Sequence, residues 1–185
     1  YLLPLGDVTG APDTAVLCDL LSRWFWLEAV PMPPLPDKVL AAIERDEDGC
    51  GYGPQIECPS AQAAMHAHKP RDAFIVIGYT MEDICNSRSG FGFLFGEANL
   101  DLSVGLFSFA RYADDVPRAS PRFLRRCGMV LCHEAGHLFG VKHCVCAAPA
   151  TQHLHRPAPK LPPCPLPPAP LAPPPAPHPL PLSTP

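Results

Sequence analysis

Charge is scarce in this 185-residue chain, and what is missing narrows the field first. Lys and Arg number 14 against 18 Asp and Glu, a formal net charge of −4 with His neutral. No basic stripe interleaves with aromatic residues, so nucleic acid is not a favoured partner. No apolar run approaches the roughly 20 residues of a membrane-crossing helix, so no membrane partner is expected. The first residues lack a basic stretch followed by an apolar one, the pattern of a secretory leader. The chain opens at Tyr1 rather than Met and reads as a piece of a longer protein. From residue 147 onward charge and aromatics fade further: only Arg156 and Lys160 carry a full charge, and 16 of the 39 residues are proline. Such a segment has no apolar material to bury and is expected to be disordered or polyproline II. The sequence therefore divides into 1–146, the length of one small domain, and a Pro-rich low-complexity tail, 147–185.

Nine cysteines are present, at Cys18, Cys50, Cys58, Cys85, Cys127, Cys132, Cys144, Cys146 and Cys164. The odd count and irregular spacing read as reduced, mostly buried thiols of an intracellular, cytoplasmic protein, with a disulfide framework as the alternative.

Against this background one run stands out. Residues 133–143 read H-E-x-x-H-x-x-G-x-x-H, with His133, Glu134, His137, Gly140 and His143 at its defining positions. Histidines four apart share one face of a helix and can bind one ion together. Glu134 lies beside that face, where a general base for a zinc-bound water is needed. Gly140 can adopt a left-handed conformation that ends the helix and brings His143 back as a third ligand. An isolated H-E-x-x-H can be a core helix that happens to carry histidines. The full pattern arises by chance at this composition on the order of a few times in a hundred thousand, so the zinc reading prevails. His66, His68 and His178 have no such context.

The flanking sequence predicts a helix from Ser120 as N-cap and Pro121 as first residue, with Leu124, Cys127, Val130, Leu131, Glu134, Ala135 and Leu138 at helical steps. Arg122, Arg125 and Arg126 are expected in solvent. Upstream, helices are predicted over 14–27 with Asp13 as cap, over 37–45 and over 60–68. Strands are predicted over 27–32, 73–80, 90–98 and 104–112, and 46–60 reads as loop. The run 73–80 is continuously apolar, as in a strand covered on both faces. Mixed elements place the chain in the α/β (α+β) class with a small sheet.

The segments DAFIVIGYTMEDIC, FGFLFGEANLD, VGLFSFARYADD and CHEAGHLFGVKHC resemble the archaemetzincins, a family of metzincin-type zinc peptidases, from Pro70 to Cys144. The resemblance implies a twisted sheet backed by helices. An antiparallel edge strand within 91–98 would pair with an extended peptide or protein substrate. It also implies His133, His137 and His143 as catalytic zinc ligands and Glu134 as general base, and a second, structural zinc held by cysteines. Cys144 matches the first of those. Pro149 and Thr151 then stand where the family has cysteine and methionine, and no Met follows Met129. The apolar floor under the histidines and the all-thiolate second site are thus incomplete, which implies a catalytically impaired isoform as the alternative to an active peptidase. In the tail, Cys146, His153, His155 and Cys164 read as scattered solvated residues. Residues 156–162 (RPAPKLP) fit a basic-x-x-P-x-x-P ligand for an SH3- or WW-type partner, a third reading.

Overall fold

A computed structural model of the chain describes residues 1–47, 53–113, 115–118 and 120–142. The chain follows an α/β plan. Its helices are α1 (Thr14–Phe25), α2 (Asp37–Leu40), α3 (Cys58–Ala67) and α4 (Pro121–Leu138). Its strands are β1 (Leu2–Pro4), β2 (Arg45–Asp46), β3 (Gln55–Glu57), β4 (Val76–Thr80), β5 (Ile84–Asn86), β6 (Phe91–Leu94), β7 (Gly96–Asn99) and β8 (Val104–Ser108). They form two four-stranded sheets, ordered β1-β4-β8-β7 and β2-β3-β5-β6. In the first sheet β1, β4 and β8 run parallel and β7 closes one edge antiparallel.

The central strand β4 is buried throughout, and its alternation feeds two cores. Ile77 and Tyr79 face Leu17 and Leu21 of α1 and Cys127, Leu131 and Ala135 of α4. Val76 faces the other way, with Leu106, toward Ala61 and Met65 of α3. Helices thus cover both faces of the first sheet, the arrangement expected where its strands are continuously apolar.

Local signals hold where they carry a backbone reason. Asp13 Oδ1 accepts from the Ala15 and Val16 amides and starts α1, and Ser120 Oγ accepts from Phe123 N and starts α4, with Pro121 in the first turn. Other expectations are corrected. Residues 27–32 form no strand: Pro31, Pro33 and Pro34 remove the amides a ladder needs, and only an isolated Leu2–Pro31 bridge remains. The helix expected over 37–45 is a single turn, because the chain leaves it to enter β2. The loop expected over 46–60 contains β3, and α3 begins at Cys58 rather than Ser60. The strand expected over 104–112 ends at Ser108 and gives way to a 3₁₀ turn, Ala110–Ala113. On α4, Leu124 is 40% exposed, whereas Arg126 is half-buried and donates to Tyr112 O at 3.2 Å. The strand expected over 90–98 is two strands in two different sheets, changing partner at Phe95. Cys18, Cys58, Cys85, Cys127 and Cys132 are free, buried thiols.

Candidate metal centre

The last turns of α4 carry the site. Four-residue spacing puts the His133 and His137 rings on one helix face, 4.7 Å apart and nearly perpendicular, with their Nε2 atoms 3.2 Å apart. Two nitrogens bound at roughly 2.0–2.1 Å in a tetrahedral array stand about 3.3 Å apart, so the pair already has a zinc-ligand spacing. Glu134 Oε1 lies 3.9 Å from His133 Nε2, and among the described residues these three form a group able to hold a metal ion. His143 and Cys144 lie outside the described residues.

What orients His137 follows from how the helix ends. Gly140 has φ 81°, Gly140 N donates to His137 O at 2.9 Å, and Val141 N donates to Gly136 O at 3.0 Å. These two bonds make a Schellman cap, which needs a left-handed residue and therefore glycine. The cap swings Val141 O to within 2.7 Å of His137 Nδ1. A carbonyl accepts only, so Nδ1 carries the proton and Nε2 presents its lone pair on the ligand side. Metal-binding histidines are commonly fixed this way, and the donor set fits zinc.

Glu134 is mostly buried. Burial raises its carboxyl pKa above the ordinary value, and the neighbouring His137 opposes the rise. Above it runs the edge strand. At Gly96, an added Cβ would meet the Phe107 ring well inside van der Waals contact and Glu134 Cγ at 3.0 Å. The strand can lie against Glu134 only because it carries no side chain at that point. Tyr112 is buried alongside. Burial first, and then the charge of Glu134, raise its phenol pKa. Burial likewise pushes the Cys132 thiol up to about 11, which makes it an inert neighbour of His133.

Comparison with known proteins bears on what this arrangement is. No family model matches the chain. Archaemetzincin-2 from Mus musculus is 31% identical over 194 aligned positions, covering 83% of this chain and 54% of the mouse protein. Archaemetzincin-2 from Homo sapiens is 30% identical over 154 positions, covering 66% and 42%. The chain belongs to the archaemetzincin family. It spans about half the length of the curated archaemetzincins it matches. Crystal structures of archaemetzincins share the fold. That from Methanopyrus kandleri superposes with a TM-score of 0.57 at 23% identity, covering 78% of this chain and 74% of that one. That from Archaeoglobus fulgidus, complexed with malonate, gives 0.54 at 24%, covering 78% and 80%.

Motif reasoning found His133, Glu134 and His137 because helical periodicity is written in sequence spacing. It missed Gly96, Tyr112 and the Val141 carbonyl. Tyr112 and Gly96 reach Glu134 only through tertiary packing. The Val141 contact was implicit in Gly140, since a left-handed residue after a helix fixes where the next carbonyl points.

Proposed function

We propose that this chain is a zinc-dependent metallopeptidase that hydrolyses peptide bonds. The convergence of the His133 and His137 Nε2 atoms beside the shielded Glu134 carboxylate carries the reading. His143 completes the ligand set by its place in the motif, and Cys144 is the remnant of a second, structural zinc site. When bound, zinc acidifies a ligated water and polarises the scissile carbonyl. The chain's own residues do the rest. Val141 O holds the His137 tautomer, and Gly96, lacking a side chain, lets the edge strand lie against Glu134. Glu134 takes the proton from the attacking water and passes it to the leaving amine. Burial suits it to the first step, because a raised pKa makes the carboxylate a better proton acceptor.

Zinc content and hydrolysis of a peptide library by the 185-residue chain and by Glu134→Ala test this. Stoichiometric zinc in both, with hydrolysis lost only in Glu134→Ala, is expected; equal hydrolysis by the two proteins would refute the assigned base. A second reading, a catalytically impaired isoform, is favoured by Pro149 and Thr151 at the family's cysteine and methionine positions. Substoichiometric zinc with no turnover supports that reading instead.

A further inference from the structure

Gly96 lies against Glu134 on one face of β7, and the residue after it is held from the other face. Side chains alternate along a strand, so Glu97 points away from α4, toward α3. Its carboxylate is half-buried, and both oxygens accept from neutral amides. Oε1 accepts from Gln62 Nε2 of α3 at 3.3 Å, and Oε2 from Asn86 Nδ2 of β5 at 2.7 Å. Gln62, only 1% exposed, also donates to the Glu97 backbone carbonyl at 3.0 Å.

Backbone amides decide which way round these side chains sit. Arg88 N donates to Asn86 Oδ1 at 3.0 Å, which leaves Asn86 Nδ2 for Glu97. Leu102 N donates to Asn99 Oδ1 at 3.1 Å, so Asn99 Nδ2 is the end that donates to Gln62 Oε1, at 3.3 Å. Gln62 Nε2 is thereby turned to Glu97. An N–H donates and cannot accept, so the bonds of this network all run one way, toward the Glu97 carboxylate. β7 has need of the hold. It is the terminal strand of its sheet, paired with β8, and the chain changes sheet at Phe95, just before Gly96. Neighbouring strands differ in relative twist by roughly 10–35°, so one ladder does not fix the tilt of an edge strand. Glu97 ties β7 to α3 and to a strand of the other sheet, one residue from the contact with Glu134.

We propose that Glu97 is a positioning residue: held by Gln62 and Asn86, it keeps β7 against Glu134 and so fixes the base of the hydrolytic reaction in place. This rests on the peptidase reading above. Glu97 acts through the strand and not on the reacting atoms. Its hydrogen bonds set where Gly96 lies, and Gly96 is the wall that Glu134 Cγ packs on. His133 and His137 are placed by α4 itself, and His137 also by Val141 O, so loosening β7 frees the carboxylate while the imidazole pair keeps its spacing.

The test reverses one bond of the network in the 185-residue chain. Glu97→Gln sets a donor against Asn86 Nδ2, and Asn86→Asp sets a carboxylate against the Glu97 carboxylate. The two together exchange donor and acceptor and restore the bond, and both changes are isosteric. In zinc-free protein the nuclear Overhauser effect between Gly96 Hα and Glu134 Hγ reads the contact directly. It should weaken at least about twofold in each single variant and return in the double. In zinc-loaded protein, kcat on a peptide that the parent cuts should fall about ten- to hundredfold in each single variant, with KM and zinc content unchanged, and recover in the double. An Overhauser effect that neither single variant alters overturns the proposal, as does a loss that the double variant fails to restore. So does a fall in kcat that only follows a fall in zinc content, since Glu97 then supports the fold at large. The two readings separate cleanly. A contact that weakens and returns in chains that cut no peptide refutes the peptidase and leaves the hold on β7 standing. Unchanged hydrolysis by single variants whose contact is lost refutes the positioning role and leaves the peptidase.

Discussion

Replacing Gly140 by Ala should damage the metal site from outside it. At φ 81° an L side chain costs about 1–2 kcal/mol, and no described residue lies within 4 Å of a Cβ built there, so among the described residues backbone strain alone opposes the change. The strain is relieved by undoing the cap, which releases the Val141 N–Gly136 O bond and withdraws Val141 O from His137 Nδ1. The ring then loses the partner that fixes its tautomer. Loss of such a supporting contact weakens zinc binding about 10- to 100-fold. Chelator competition on Gly140→Ala and Gly140→Asn measures this directly. Asn tolerates the left-handed region, so it should fall between Gly and Ala. If Gly140→Ala melts earlier yet binds zinc as tightly as the parent chain, the link from cap to ligand is wrong.

Gly96→Ala should lose about 1–3 kcal/mol in urea unfolding, because the fully buried Phe107 ring cannot yield to the new methyl. Phe107→Leu in the same chain should recover part of that loss, and strictly additive losses would show that the two residues do not touch. Burial raises the Glu134 pKa in the folded state, so its contribution to stability is fully present below the unfolded pKa and is lost as pH rises through the folded one. In zinc-free protein, Glu134→Gln should therefore be the more stable form near pH 7, with the gap closing below about pH 4. Parallel stability–pH curves for the two proteins would contradict the burial argument.

The parts of this protein legible in sequence are those governed by contacts within a few residues. Asp13 and Ser120 announce helix starts because their side chains bond amides two or three positions on. Other parts were misjudged because local pattern does not decide them. The two-residue β2 and three-residue β3 are too short to show a period. Arg126 looked like a solvent residue until packing placed Tyr112 O and Asp115 in front of it. The Phe91, Phe93 and Phe95 alternation reads as one strand because period two says nothing about which neighbour a strand pairs with.

The sequence by itself determined the chemistry of the centre. An imidazole pair at helical spacing, a carboxylate between them and a glycine after the helix admit few arrangements, since each constraint acts across one or two turns of α4. Tertiary structure alone decided what surrounds that chemistry. Gly96 against Glu134 and Arg111 on Phe93 both join residues far apart in the chain. Such contacts depend on how sheets and helices stack, which no local spacing records.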